Sequence, residues 1–155
     1  MFAPTSIALA EKKDGHVEEA LGRGKGGMTT KIHTAVDALG NPVRFILTQG
    51  QASDYKQGAA LIDGFPAQNV LGDKGYDGDD LIETIRASGA QAAIPPKSNR
   101  KNPRVCDYAL YKERHRIECF FARPKEYRGL ATRFCKLARN FAAFLYLAFA
   151  LHWTL

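Results

Sequence analysis

The stretch TTKIHTAVDALGNPVRFILT, Thr29 to Thr48, decides the fold class. Thr29–Val36 and Val43–Thr48 both alternate apolar and polar side chains and are rich in β-branched residues, while Asp37–Pro42 supplies turn formers between them. That pattern spells a β-hairpin. His33, inside the first strand, reads as a half-buried packing residue, because no second histidine stands at metal-site spacing. Just upstream, Gly22–Gly27 (GRGKGG) reads as a flexible basic loop; its spacing is neither that of a P-loop nor of a dinucleotide fingerprint. Residues 1–21 carry little periodic signal and form a poorly defined N-terminal segment, which leaves 22–155 as the domain.

Downstream of the hairpin the chain alternates between helix and strand. Asp54–Ile62 fits a short helix capped by Ser53 or Asp54. Asn69–Gly72 fits a strand that runs into Asp73-Lys-Gly-Tyr-Asp77, and an acid just past a strand's C-terminal end is where open α/β sheets place ligand chemistry. Asp79–Ser88 continues as a helix with acids in its first turn and Gly89 after its end. Gln91–Ile94 is a last short strand, stopped by Pro95-Pro96. Lys97–Arg104 (KSNRKNPR) is a basic loop in which Lys97, Arg100 and Lys101 can track phosphates. Helices then occupy Tyr111–Lys125 and the apolar stretch within 131–155. The order predicts an α/β fold with a mixed sheet and flanking helices.

Composition sets the outer bounds. A chain of 155 residues with 45% hydrophobic and 25% charged residues is globular and forms one domain. The net charge of +6 is uneven: residues 97–139 hold 13 Lys and Arg against four acids, and the rest of the chain is net −3. A basic C-terminal third points to a polyanion, nucleic acid first among them. Cys106, Cys119 and Cys135 are odd in number and lack metal spacing, so they read as free thiols of a reducing cytoplasm. The N-terminus has no signal-peptide pattern, and the apolar run Phe141–Leu151 falls short of the roughly 18 residues that span a bilayer.

At about 100° per residue, Tyr111, Arg114, Glu118 and Lys125 fall within an arc of roughly 60° on one helix. Such a stripe is most simply a solvated face. It also runs along the edge of an apolar arc made by Leu110, Ile117, Phe120 and Phe121, where a carboxylate can be held and still meet solvent. Asp73 and Glu118, both set among cations, are therefore the acids to pair as catalytic and metal-binding residues. Hard ions such as Mg²⁺ take a few carboxylates plus water and phosphate oxygens. Asp77, Asp79 and Asp80 compete for that role, but acids at a helix N-terminus already have a structural explanation.

The segments GRGKGGMTTKIHTAVDALGNPVRFILTQGQASD, NVLGDKGYD and IPPKSNRK, the spacing Tyr111-x2-Arg114-x3-Glu118-x6-Lys125, and RGLATRFCKLARNF resemble the C-terminal part of a DDE transposase of bacterial insertion sequences, in the four/five superfamily with its Y-R-E-K signature. The resemblance covers about residues 22–155. It implies an RNase H-like fold in which three carboxylates hold two Mg²⁺ (or Mn²⁺) ions. It also implies DNA as partner, both the element's terminal repeats and the target, with cleavage at the element ends and joining of the freed 3′-OH. By motif position Asp73 is then the second acid and Glu118 the third, and Tyr111, Arg114 and Lys125 contact DNA or position the acid.

Two departures qualify that expectation. The family's first Asp lies on a strand well ahead of the glycine-rich loop, and the residues before Gly22 show no such strand; Asp14, the sole upstream Asp, sits in a turn-like Lys-Lys-Asp-Gly. The chain thus reads as truncated, lacking the first and central strand, with little or no activity alone. A non-catalytic DNA-binding remnant and a decayed reading frame are the alternatives, and an upstream or frameshifted polypeptide or a second copy are the candidate protein partners. The second departure is Pro124, which costs a helix ~3 kcal/mol or more unless it kinks and which would swing Lys125 off the stripe.

Overall fold

The computed structural model describes residues 5–7, 20–24, 27–122 and 128–154. In chain order these form β1 (Thr5–Ile7), β2 (Gly22–Gly24), β3 (Gly27–Val36), β4 (Pro42–Gln49), α1 (Tyr55–Ile62), β5 (Asn69–Leu71), α2 (Asp79–Ala87), β6 (Gln91–Ala93), α3 (Tyr108–Tyr111), α4 (His115–Ala122), α5 (Arg128–Ala131) and α6 (Ala138–Thr154). Single 3₁₀ turns occupy Lys74–Tyr76 and Lys112–Arg114. The fold is mixed α/β.

The expected hairpin is its centre. β3 and β4 pair antiparallel, with Lys31 opposite Thr48, His33 opposite Ile46 and Thr34 opposite Phe45. The turn closes because Asp37 Oδ1 accepts from the backbone N–H of Leu39 and of Asn41 at 2.8 and 2.9 Å, while Gly40 takes the positive φ of +93° that side chains resist. Alternation then sends neighbouring side chains to opposite faces. Val36, Phe45 and Leu47 join one core with Ile117 and Phe120 of α4 and Phe141, Ala142, Leu145 and Phe149 of α6. Ala35 joins the other, with Leu61 and Ile62 of α1 and Leu81, Ile82 and Ile85 of α2. β5 and β6 pair in parallel, and because Val70 enters one core and Leu71 the other, this pair lies in the same layer as the hairpin.

The N-terminal part departs from expectation. No strand is legible ahead of the glycine-rich loop, yet β1 pairs antiparallel with β3, Thr5 opposite Thr34 and Ile7 opposite Ile32. The same β3 residues pair with β4 on their other edge, so β1 satisfies N–H and C=O groups that would otherwise lie bare. Part of the supposed flexible loop is also ordered: Gly22 pairs with Thr29 and Gly24 with Gly27, forming a second, tight antiparallel ladder.

Two helices differ in detail. Asp54 is the N-cap residue of α1 but makes no capping bond with its side chain. The helix expected from Tyr111 starts three residues earlier, where Asp107 Oδ1 accepts from the N–H groups of Ala109 and Leu110, and a 3₁₀ turn separates it from α4. Pro124, Lys125 and Asp14 lie outside the described residues. α6 packs its inner face on Phe45 and Phe120 and leaves Phe144, Leu147 and Leu151 exposed. No helix among the described residues is long and apolar enough to cross a membrane.

Candidate functional site

β5 ends at Leu71, and two residues later Asp73 caps the 3₁₀ turn Lys74–Tyr76, its Oδ1 accepting from Gly75 N–H at 2.7 Å. Gly75 has no side chain for a local reason. A Cβ there would lie 2.8 Å from Asp73 Oδ1 and 2.8 Å from Asp54 Oδ2, so both carboxylates crowd the same side of Gly75 and a larger residue would push them aside. Asp54 is brought there by the loop after β4, and its other oxygen faces Lys31 Nζ at 3.0 Å and His33 Nδ1 at 3.4 Å. Lys31 Nζ also donates to the carbonyl of Ala52 at 2.9 Å, which fastens that loop to β3.

His33 is fully buried at the centre of this arrangement. Its Nε2 lies 3.0 Å from Thr48 Oγ1, and its Nδ1 lies 3.3 Å from the hydroxyl of Tyr76, itself completely buried. Burial lowers the imidazole pKa to about 4; the charge of Asp54 pulls upward and that of Lys31 downward. The ring is therefore neutral at pH 7. With a carboxylate beside Nδ1, the network assigns the proton to Nδ1 and lets Nε2 accept from Thr48. Strand alternation puts Lys31, His33 and Thr48 on the α1-facing side of the hairpin, which is why one strand supplies two of these contacts.

Asp77, four residues on, is buried and serves a different purpose. Its Oδ2 accepts from Arg100 Nε at 2.7 Å and from the backbone N–H of Lys97 at 2.8 Å, and its Oδ1 pairs with Arg104. Arg100 Nη2 reaches Asp79 at 2.9 Å, and Arg104 bonds the same acid. Burial alone would raise the Asp77 carboxyl, but the Arg100 bond, the Lys97 N–H and the charges of Arg104 and Arg100 together hold it below the ordinary carboxylate range. Two of the cations picked out as phosphate-tracking are thus engaged: Arg100 pins the loop after β6, and Lys97 lies over the Tyr55 ring at 5.4 Å with its Nζ donating to the Asp77 carbonyl. Lys101 is exposed.

The Tyr111–Glu118 stripe forms as spacing predicts. Arg114 pairs with Glu118 one turn on, and its guanidinium sits 5.6 Å from the centre of the Tyr111 ring. The Glu118 side chain is 60% exposed, whereas Ile117 and Phe120 beside it are buried. Lys125 lies outside the described residues. No described contact joins Glu118 to Asp73: α4 packs on one face of the hairpin, and the Asp73 network is fixed from the other. Among the described residues, no group of three or more His, Cys, Asp and Glu is arranged to hold a metal ion.

Asp54 is the functional candidate that sequence reading missed. Its place before α1 reads as a helix cap, and nothing local in the sequence points to the hairpin lysine and histidine it serves. At the Asp73 turn two hard carboxylates, Asp73 and Asp54, approach each other beside Gly75, and oxygen donors of this kind suit a hard divalent ion.

A family model described as "Transposase DDE domain" matches residues 5–105, and a second of the same description matches residues 70–154. The chain belongs to the DDE transposases of bacterial insertion sequences. It is 41% identical over 128 residues to a protein of Brucella ovis whose name assigns it as transposase for insertion sequence element IS6501; the match covers 81% of this chain and 98% of that protein. No solved structure matches the chain significantly.

Proposed function

We propose that this chain acts on insertion-sequence DNA, cleaving at the element's ends and joining the freed 3′-OH to target DNA, in an RNase H-like arrangement. The observation that carries this reading is the Asp73 turn: an acid past a strand end, in a family of transposases, close beside a second carboxylate, Asp54. Asp73 and Glu118 supply two of the three carboxylates that the resemblance implies and would hold Mg²⁺ or Mn²⁺. When bound, such ions activate the attacking oxygen and stabilise the leaving one in an in-line displacement at phosphorus. With two acids of three, turnover by the chain alone is low.

The remaining residues bind and orient. Tyr111 and Arg114 present an aromatic face and a guanidinium beside Glu118, and Lys101 offers an exposed cation on the loop after β6. Asp54 adds negative charge next to Asp73, offset on its far side by Lys31.

The test is incubation of the purified chain with DNA carrying the element's terminal repeats, with Mg²⁺, Mn²⁺ or EDTA. Slow, metal-dependent nicking that leaves a 3′-OH, absent in Asp73→Asn, is the expected result. A second reading, DNA binding without cleavage, is favoured by one observation, the 13 Lys and Arg against four acids within residues 97–139. Steeply salt-dependent binding with no nicking under any metal would select it.

A further inference from the structure

We infer that His33 is a positioning residue for Asp73, acting through Tyr76 and held in register by Asp54. The inference rests on the reading that Asp73 holds a divalent cation. It gives His33 a task that neither catalysis nor DNA contact accounts for.

Three separate chain segments meet at this one ring: β4 through Thr48, the loop before α1 through Asp54, and the 74–76 turn through Tyr76. Tyr76 ends the 3₁₀ turn that Asp73 begins, and its own N–H bonds back to the Asp73 carbonyl at 3.0 Å. Fixing the Tyr76 ring therefore fixes the backbone from which the Asp73 carboxylate projects. The His33 and Tyr76 rings meet edge to face with centroids 6.5 Å apart, so the ring's side as well as its nitrogen meets the turn.

Packing alone explains neither the residue type nor the polarity of the site. A Leu or Met of similar volume would fill the space in a buried strand position without needing three polar partners. A neutral imidazole offers one donor and one acceptor along two fixed directions, and Asp54 sets which nitrogen carries the proton. Outer partners of this kind orient metal-binding side chains, and their loss typically weakens metal binding ~10–100-fold. Gly75 completes the device, since a Cβ there would meet Asp73 Oδ1 and Asp54 Oδ2 at 2.8 Å and displace both carboxylates.

The experiment titrates the folded full chain with Mn²⁺ alone, read by electron paramagnetic resonance, alongside urea unfolding of each variant. Asp73→Asn should lose the site. Tyr76→Phe, which keeps the ring and removes the hydroxyl, should bind Mn²⁺ ~10-fold more weakly. Gly75→Ala should weaken binding while removing no ligand. His33→Gln, which retains a donor and an acceptor, should recover part of what His33→Leu loses. A purely structural His33 would shift unfolding midpoints and leave the Mn²⁺ affinity of the folded fraction unchanged. If Asp73→Asn loses the site while Tyr76→Phe and His33→Leu bind like the parent, the positioning role is wrong and the Asp73 reading survives. Unchanged or absent Mn²⁺ binding in both the parent and Asp73→Asn overturns the Asp73 reading and this inference with it.

Discussion

The two acids proposed for the chemistry are held in opposite ways. Asp73 projects from a turn fastened to buried His33 and Tyr76, with Lys31 and Asp54 sealing the adjacent loop. Glu118 projects from a helix into solvent, where its described partner is Arg114 in the 3₁₀ turn just before that helix. The β-sheet side thus builds a preorganised half-site from contacts distant in sequence, whereas the helix side offers a carboxylate positioned by local spacing alone. A half-site of the first kind defines geometry at the expense of buried polar groups; one of the second kind can be recruited by a ligand. Substitutions on each side should therefore separate into those that disturb folding and those that leave it untouched.

The largest effect is expected beside the Asp73 turn, at Asp77. Asp77→Ala leaves Arg100, Arg104 and the Lys97 N–H without their buried acceptor and should destabilise the chain by about 2–3 kcal/mol in urea unfolding, Asp79 retaining part of the pairing. The effect should depend on pH with a definite sign. Because the folded-state pKa of Asp77 lies below its unfolded value, its contribution is present above about pH 4 and fades as pH falls through the folded value. The stability gap between the parent and Asp77→Asn should accordingly narrow between pH 7 and pH 3. A gap that widens on acidification would break this assignment.

Tyr76→Phe should cost less, about 1 kcal/mol, since one hydrogen bond to a buried ring is lost and the packing kept. Glu118→Gln should be smallest. An exposed i,i+4 ion pair is worth little, so the unfolding midpoint should move by less than the equivalent of about 0.5 kcal/mol. A large loss at Glu118 would mean that the helix side is as deeply built in as the turn.

The same contrast explains what could be read from sequence. The hairpin, α1, α2, β5 and β6 and the Tyr111–Arg114–Glu118 stripe all follow from periodicity and caps, and Gly89 and the Asp37 turn act through local chemistry. The Asp73 position was legible because a strand end and an acid coincide. What was hidden is long-range: Asp54 reads as a cap until Lys31 and His33, more than twenty residues away, are seen to take its side chain. His33 reads as packing for the same reason. β1 was missed because three residues carry no periodicity, and only the open edge of β3 gives them a conformation. Lys97 and Arg100 read as free cations because nothing local marks Asp77 as buried.

The most direct test of the central claim, that the rigid and the exposed acid serve one reaction, is cleavage of terminal-repeat DNA in Mn²⁺ by the parent, Asp73→Asn, Glu118→Gln and the double variant. Residues acting as a unit are non-additive. Slow metal-dependent cleavage by the parent, its loss in either single variant, and no further loss in the double are expected. Cleavage that persists at the parental rate in Glu118→Gln, or a parent that binds this DNA and never cuts it, would contradict the claim.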